Sequence, residues 1–485
     1  MTETNQEHHY TDNVQDHLQQ VQHLLEKQAL VENVVHQQEI PRAERHELID
    51  TLLHKRHLAE LREKLGSLHS ADIAYILEAL PIDQRLLVWD LVKAERDGEI
   101  LIEVSDAVRE SLIVTMSRDE LREAAEQLDT DEIADLAPDL PHAVMRDVFK
   151  SLSIEEREQL REAMTYPEDA VGALMDFDMV TIREDVTLEV VSRYLRRFEE
   201  LPDHTDQLFI VDRDDIFKGV LPLNRLLVNE PELEVSTLMI TDTITLHPDE
   251  KADQASQAFE RYDLVSAPVV DEDGKLVGRV TVNTVMDFIR AESESDVLNL
   301  AGLREEEDIF ASVWKSAKNR WMWLALNLCT AFFASRVIGS FEGTIEKFVA
   351  LATLMPIVAG IAGNSANQTT TIIIRSLALG QINPSNARRM LSKELAIGAL
   401  NGMVWGGVAG LFAYALYQNI MIGIIMTSAM LLNLLLGALA GLLIPLTMQR
   451  MGRDPAIGSS VLLTAITDSG GFFIFLGLST IFLMH

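Results

Sequence analysis

Cysteine is almost absent from this 485-residue chain, and so are the short motifs of common enzymes. Cys329 is the one cysteine, which excludes an intrachain disulfide and a thiolate zinc cluster. The polar N-terminus has no apolar signal-peptide core, so we expect the N-terminal part to stay in the cytoplasm. GxxxxGK[ST] is missing, and HELID at residues 46–50 lacks the second histidine of a zinc protease. With no other catalytic constellation visible, the sequence argues against an enzyme.

Basic residues are also scarce in the first 310 residues, which hold 30 Lys and Arg against 70 Asp and Glu, a net charge of −40. Residues 311–485 instead hold 11 basic and 5 acidic residues, a net charge of +6. A part this acidic cannot bind nucleic acid through a phosphate footprint. It should attract cations, and divalent ones most strongly.

Long apolar runs begin after residue 320. Spanning a bilayer as a helix takes about 20 apolar residues, so five runs qualify: 321–341, 348–378, 395–417, 421–448 and 456–484. Basic residues flank alternate ends of these runs, at Lys315, Lys318, Arg320, Arg388, Arg389, Lys393, Arg450 and Arg453. With a cytoplasmic N-terminus, five spans put every basic cluster on the inner side and His485 outside.

Polar residues inside the runs follow helical spacing. Asp468 is the one acidic residue well inside a run, and it shares a stripe with Ser460, Thr464, Thr467 and Gly471. A second stripe in the 348–378 run comprises Asn364, Asn367, Gln368 and Thr371. Hydrogen bonding between helices is the alternative role for the Asn and Thr side chains. No basic residue lies at the depth of Asp468, which indicates that its counter-charge is a mobile cation.

Two internal repeats organise the acidic part. Residues 68–81 align with 128–141 at a shift of 60, which predicts a superhelical α-domain of helix pairs within residues 41–172. Residues 209–227 align with 268–286 at a shift of 59, each reading as strand, turn, strand and helix. The second pattern resembles a pair of CBS domains, placed at 173–236 and 237–284.

The CBS resemblance implies adenine nucleotide binding as one possible role. In many CBS pairs a Gly-x-x-Thr-x-x-Asp stretch holds the ribose, but here the aspartate positions carry Arg225 and Thr284. A helical stretch then connects the pair to the apolar part, within residues 285–310. Residues 1–40 read as a polar arm that is either solvated or chelates a transition metal through its histidines, His8, His9, His17, His23 and His36.

The fold class expected is therefore multidomain: an α-helical superhelical N-domain, an α/β CBS-domain pair and a five-helix α transmembrane domain over 311–485. This order resembles the MgtE family of magnesium channels. The resemblance is most specific in GNSANQTTTIIIRSLALG (363–380) and DPAIGSSVLLTAITDSGG (454–471), although Ala366 replaces a glycine of the family pattern.

The resemblance implies a homodimer in the inner membrane, with one central pore and Mg²⁺ as permeant and regulatory ion. Asp468 matches the acidic pore residue and Asp454 an acidic residue at the cytoplasmic mouth. The expected pore-lining or ion-binding residues are Asp468, Thr464, Thr467, Ser460, Asn364, Asn367 and Gln368. The resemblance also implies a cytoplasmic Mg²⁺ sensor, for which the candidate residues are Asp131, Asp135, Asp263, Asp287, Asp296 and Glu99.

The function expected is a Mg²⁺ channel for uptake that closes when Mg²⁺ binds the acidic domains. One alternative is a secondary transporter of Mg²⁺ or of Co²⁺, Mn²⁺ or Ni²⁺, although machines of that kind usually show repeated halves and five spans cannot divide equally. The other is a nucleotide-sensing membrane receptor without transport, against which the missing CBS aspartates weigh.

Overall fold

The structure, a computed structural model, describes residues 14–27, 58–303, 308–378, 381–382, 384–455 and 458–484. The chain forms two compact units. The first comprises Met1–Glu292 with Glu307–Ala311, and the second comprises Ser293–Glu306 with Ser312–His485. The chain thus leaves the first unit after Glu292, returns to it for Glu307–Ala311 and enters the second unit again at Ser312.

The described residues in the N-terminal part of the first unit form helices. Those described are α1 (14–27), α2 (58–66), α3 (Ser70–Glu78), α4 (Ile82–Trp89), α5 (Asp97–Glu103), α6 (Asp106–Ile113), α7 (Arg118–Ala125), α8 (Thr130–Leu136), α9 (His142–Ser151) and α10 (Ile154–Ala163). Their apolar faces share one core, which includes Val21 and Leu25 of α1. Residues 14–27 of the expected polar arm thus pack as a helix against this domain, whereas His8, His9 and His36 lie outside the described residues.

The helix starts coincide with the 60-residue repeat. Helices α3 and α8 begin at Ser70 and Thr130, and α4 and α9 begin at Ile82 and His142. Pro81 and Pro141 each precede the second helix of a pair. Proline fixes the backbone angle φ near −65°, which suits the start of a helix, so the repeated sequence gives repeated helix pairs.

The 59-residue repeat gives two β-hairpins. The elements are β1 (Thr181–Arg183), α11 (Leu188–Leu195), β2 (Gln207–Val211), β3 (Phe217–Pro222), α12 (Leu223–Val228), α13 (Val235–Leu238), α14 (Ala252–Tyr262), β4 (Ser266–Val270) and β5 (Leu276–Thr281). Strand β2 pairs parallel with β1 and antiparallel with β3, and β4 pairs antiparallel with β5. Each hairpin has a register shift at the equivalent position, Ile210/Val211 in one and Val269/Val270 in the other. The predicted helical and CBS-like architectures are both confirmed.

A 20-residue helix, α15 (Val282–Ala301), continues directly from β5. It ends before Gly302, whose φ of +82° is a left-handed conformation that favours glycine. The helix therefore stops before the end of the connecting stretch assigned to 285–310, and the described residues 308–310 are not helical.

The second unit contains long apolar helices. They are α16 (Val313–Gly339), the short α17 (Glu342–Lys347), α18 (Ala350–Ala378), α19 (Pro384–Tyr417), α20 (Ile420–Arg450) and α21 (Ser459–Leu483). Among the described residues, α16, α19, α20 and α21 are long and apolar enough to cross a membrane. Helix α18 is as long, and it carries asparagine, glutamine and threonine residues within 364–371. Four of the five expected spans thus meet the apolar requirement among the described residues, and the count of five stays a prediction.

Glycines set the packing of α19 on α20. Gly398, Gly402, Gly406 and Gly410 recur every four residues and form one ridge of α19. A Cβ added at Gly402 would lie 2.7 Å from the Cα of Leu431, and one at Gly410 would lie 2.5 Å from the carbonyl oxygen of Gly423. Small residues of this kind let helix backbones approach closely in a membrane protein.

Candidate ion pathway and cytoplasmic carboxylate cluster

Helix α21 presents part of its predicted polar stripe on an accessible face. Thr464 is exposed, and Ser460 and Asp468 are half-buried. The three residues are spaced four apart, so a helix places them one above another. The structure therefore brings these three predicted pore residues onto one side of α21.

Thr467 points into the helix packing instead. It is fully buried, and its hydroxyl donates a hydrogen bond to the carbonyl oxygen of Leu463 at 3.0 Å. A Cβ added at Gly363 would lie 3.5 Å from the Thr467 hydroxyl oxygen, and one at Gly437 would lie 3.7 Å from its methyl carbon. Thr467 thus packs where α18, α20 and α21 meet, rather than beside Asp468 on the accessible face.

Asn433 of α20 holds this three-helix contact together, and the sequence analysis did not single it out. Its fully buried amide nitrogen donates to the carbonyl oxygens of Val358 at 3.1 Å and Thr467 at 3.2 Å. One amide therefore ties α18 and α21 to α20 next to Asp468. A lone asparagine in the apolar run LLNLLLG was the available signal.

The polar stripe of α18 is accessible along its length. Asn364, Asn367 and Gln368 are all exposed in the single chain. Asn364 and Gln368 line a shallow cleft of about 210 Å³ together with Asn401 and Trp405 of α19. Two of the amides predicted for α18 thus line a cleft that also contains the polar side chain of Asn401.

Glu394 of α19 is a buried carboxylate that the sequence analysis also missed. It is 4% exposed, and its carboxylate accepts a hydrogen bond from the Thr369 hydroxyl at 3.1 Å. The next residue, Thr370, donates to the carbonyl oxygen of Gly441 on α20 at 3.3 Å. Glu394 lies between Lys393 and the start of the apolar run 395–417, so the sequence did not mark it as buried.

Asp454, the predicted mouth residue, meets the connecting helix. The side-chain amide of Asn299, near the end of α15, lies 3.5 Å from a carboxylate oxygen of Asp454. Both residues belong to the second unit. The C-terminal end of α15 therefore lies beside the loop that precedes α21.

Carboxylates gather around the start of α8 in the first unit. Burial, followed by the negative charge of Asp176, raises the pKa of Asp131 to about 8. Partial burial raises the pKa of Asp129, and three neighbouring carboxylates raise it further. We call this group the α8 carboxylate cluster; its members are Asp129, Asp131, Asp176, Asp178 and Asp203. Burial is the larger cause of both raised pKa values, and repulsion between the neighbouring carboxylates adds to it.

Part of the negative charge of the α8 carboxylate cluster is already compensated. The buried guanidinium of Arg279 donates from Nε to a carboxylate oxygen of Asp176 at 2.8 Å and from one terminal nitrogen, Nη2, to the carbonyl oxygen of Asp203 at 2.8 Å. Asp135 lies one turn after Asp131 on α8 and is exposed. The cluster thus joins the predicted Asp131 to carboxylates of the CBS pair that the sequence did not point to.

The other predicted sensor residues are dispersed. Asp263 is exposed and ends α14 with a φ of +51°. Asp287 and Asp296 lie on α15, and Glu99 accepts a hydrogen bond from the Ser70 hydroxyl at 2.5 Å. In the described part of the chain, no group of three or more His, Cys, Asp or Glu side chains could hold a metal ion.

Arg225 and Thr284 occupy the positions that carry the ribose-binding aspartate in many CBS pairs. Arg225 donates to the carbonyl oxygen of Leu238 at 2.7 Å, and Thr284 shares a 3.0 Å hydroxyl contact with Thr281. Both groups are engaged with their own domain.

Three family models match successive parts of this chain. They are described as an MgtE intracellular N domain (residues 68–169), a CBS domain (235–291) and MgtE, a divalent cation transporter (355–478). The three matches follow the order of the helical domain, the CBS pair and the membrane helices.

Full-length relatives match as well. The magnesium transporter MgtE of Bacillus subtilis is 25% identical over 432 residues, covering 89% of this chain and 96% of that protein. The protein of the same name from Thermus thermophilus is 28% identical over 431 residues, covering 87% and 95%.

Among solved structures, the cytosolic domain of the Mg²⁺ channel MgtE in complex with ATP is 30% identical, with a TM-score of 0.45 over 49% of this chain and 97% of that one. The matching models and relatives cover the helical domain, the CBS pair and the membrane helices alike. The chain belongs to the MgtE family of divalent cation transporters.

Proposed function

We propose that this protein is a homodimeric, Mg²⁺-selective channel for magnesium uptake, closed by Mg²⁺ that binds its acidic cytoplasmic domains. Two relatives named magnesium transporters match it over at least 95% of their own length. The protein sits in the inner membrane with its N-terminal domains in the cytoplasm. Its C-terminal residue, His485, is expected outside and lies beyond the described residues.

One observation carries the dimeric pore: the amide stripe of α18 and the Asp468 face of α21 are both accessible in the single chain. Hydrocarbon offers no hydrogen-bond partner to amides and carboxylates, so such a surface cannot face lipid. A second copy of the chain closes these surfaces around a water-filled path. Asp468, Thr464 and Ser460 then line it with Asn364, Asn367 and Gln368.

The chemistry of this path suits a hydrated Mg²⁺ ion. Mg²⁺ dehydrates reluctantly and is usually held by one or two carboxylates with several waters retained. Two copies of Asp468 supply the carboxylates, and the hydroxyl and amide oxygens accept hydrogen bonds from the retained water. Rings of carboxylates also select cations over anions.

Gating rests on the α8 carboxylate cluster and on α15. The cluster holds mutually repelling carboxylates but no complete set of metal ligands among the described residues. A divalent cation that keeps part of its water relieves this repulsion and draws the helical domain onto the CBS pair. Because α15 continues from β5 and its far end meets Asp454, movement of the CBS pair is delivered to the loop before α21.

The test is Mg²⁺ flux into proteoliposomes. Asp468→Asn removes the charge that faces the ion; two unit charges 4 Å apart interact by about 4 kcal/mol at an effective dielectric of ~20, and a divalent ion doubles this. We expect the variant to lose nearly all Mg²⁺ flux while remaining folded and dimeric.

Glu342→Gln is the matched control for Asp468→Asn. It removes one exposed carboxylate from α17, a helix that carries none of the predicted pathway residues, and should keep wild-type flux. Wild-type flux in Asp468→Asn would show that Asp468 does not line the pathway. Selectivity for Mg²⁺ is decided separately, by measuring Co²⁺, Mn²⁺ and Ni²⁺ fluxes in parallel.

A secondary transporter coupled to protons is the second candidate, and buried Glu394 is the observation that favours it. Within the described part of the chain, Thr369 is the one side chain that hydrogen-bonds to this carboxylate. A buried carboxylate whose described hydrogen-bond partner is a hydroxyl suits a proton relay of the kind found in transporters. Unitary currents far above carrier turnover in a planar bilayer would exclude this candidate.

A further inference from the structure

Arg85 of α4 is fully buried, and it forms a binding site for a carboxylate. Its Nε donates to the carbonyl oxygen of Leu77 at 2.9 Å, and one terminal nitrogen donates to that of Leu80 at 3.2 Å. The other terminal nitrogen donates to the Ser111 hydroxyl of α6 at 3.2 Å. These bonds fix the guanidinium within the helical domain and leave two N–H groups directed at one further acceptor.

Asp308 is that acceptor, although it lies 223 residues further along the chain. Its two carboxylate oxygens accept from the two terminal nitrogens of Arg85 at 2.6 and 3.1 Å. The Asp308 side chain is 7% exposed. All five donors of the guanidinium are thus satisfied, and both charges are buried and paired. Paired geometry of this kind is the strong form of a charge-assisted hydrogen bond.

The two residues that follow Asp308 contribute little to this docking. Ile309 is 90% exposed and Phe310 is 37% exposed. The same Asp308 carboxylate also accepts from the backbone N–H of Phe310 at 2.9 Å, and its carbonyl oxygen accepts from Ala311 at 2.9 Å. The carboxylate therefore both docks the segment 308–311 and shapes it into a turn.

This segment leads directly into the first long apolar helix. Ser312 caps α16 by accepting a hydrogen bond from the backbone N–H of Lys315, and the helix begins at Val313. Five residues of extended chain span at most about 18 Å. Whatever holds Asp308 therefore restricts where α16 can begin.

We propose that the Arg85 site is a docking site for the segment 308–311, through which the helical domain transmits its position to the first membrane helix. This inference rests on the proposed gating by cytoplasmic Mg²⁺. It adds a second connection beside α15. If the helical domain moves away, either the segment moves with it or the ion pair breaks, and a buried charge left unpaired is strongly destabilising.

Hydrogen–deuterium exchange of the full-length protein tests the docking. Asp308→Ala removes the carboxylate and leaves the bonds of Arg85 to Leu77, Leu80 and Ser111 in place. We expect the amides of Phe310 and Ala311 to lose about 100-fold of their protection, in keeping with the cost of breaking a buried pair. Asp106→Asn, which removes an 82%-exposed carboxylate of the same domain, should leave their protection unchanged.

Flux through the same variants tests the transmission. We expect Asp308→Ala to raise the cytoplasmic Mg²⁺ concentration for half-inhibition at least fivefold, with Asp106→Asn like wild type. Unchanged protection in Asp308→Ala overturns the docking, and lost protection with unchanged inhibition overturns the transmission. If wild-type flux is itself insensitive to cytoplasmic Mg²⁺, the proposed gating fails, while the exchange measurement still decides the docking.

Discussion

The residue that best separates the two candidate functions is Glu394. A proton-coupled carrier needs this carboxylate to gain and lose a proton, whereas in a channel it only accepts the Thr369 hydrogen bond. Glu394→Gln preserves the acceptor and the side-chain volume but cannot titrate. We expect the variant to retain at least half of wild-type Mg²⁺ flux, measured with and without a pH gradient across the proteoliposome.

Glu394→Ala is the companion variant for this test. It removes the acceptor and leaves the buried Thr369 hydroxyl to find another partner, so it should lower thermal stability. Uptake that is driven by a proton gradient in the wild type and lost in Glu394→Gln would replace the channel by a carrier.

Side chains differ in how far the sequence predicts their position. Ser460, Thr464 and Asp468 were found because a spacing of four residues keeps one face of a helix. Thr467 lies one residue before Asp468, about 100° around the helix, where the packing of α18 and α20 takes precedence over polarity. No local pattern relates Arg85 to Asp308, since only folding brings residues 223 positions apart into contact.

At the scale of elements, alanine substitutions at two glycines of α19 should change stability in opposite directions. Gly402 belongs to the glycine ridge, and Gly407 lies outside it. Gly402→Ala puts a Cβ 2.7 Å from the Cα of Leu431, a backbone atom that cannot move alone. A Cβ at Gly407 meets nothing within 4 Å. We expect Gly402→Ala to destabilise the membrane unit by about 1–3 kcal/mol through overpacking.

Gly407→Ala should stabilise the same helix by up to about 1 kcal/mol, because alanine is the better helix former. Unfolding of the detergent-solubilised protein measures both variants. If both shift stability in the same direction, close packing of α19 on α20 does not limit the stability of this unit.

The sequence predicts the secondary-structure elements better than it predicts which elements pack together. The shifts of 60 and 59 residues located helix pairs and β-hairpins because a repeated pattern of apolar, turn and proline residues builds the same local structure twice. The sequence did not show that α1 packs into the helical core through Val21 and Leu25. Nor did it place Asn433 between α18 and α21, since both contacts depend on tertiary packing.

For the whole molecule, the acidic unit predicts an unusual dependence of stability on pH. Burial and the negative charge of Asp176 raise the pKa of Asp131 to about 8, and burial and Glu120 raise that of Asp97 to about 7. The unfolded chain titrates these groups near 3.9, so the folded chain binds more protons in between. Without Mg²⁺, the free energy of unfolding should therefore fall as pH rises from about 4 to about 8.

Urea unfolding of the full chain, followed by pulse proteolysis of the cytoplasmic unit at pH 6 and pH 8.5, measures this change. Asp131→Asn should reduce the change in the free energy of unfolding between pH 6 and pH 8.5, whereas Asp106→Asn should leave this change as in the wild type. Millimolar Mg²⁺ should restore stability at pH 8.5, since an ion that binds the folded state alone stabilises it. Stability that rises with pH in the absence of Mg²⁺ would contradict the assignment of repelling carboxylates to the α8 carboxylate cluster.

The unbroken run from β5 into α15 makes this helix a mechanical lever. Twenty residues at 1.5 Å each give an arm of about 30 Å. A tilt of ~10° at its base then displaces its tip by roughly 5 Å, close to one helical turn. On the proposed gating by cytoplasmic Mg²⁺, a small tilt of the CBS strands would thus displace Asn299 by a distance on the order of one helical turn.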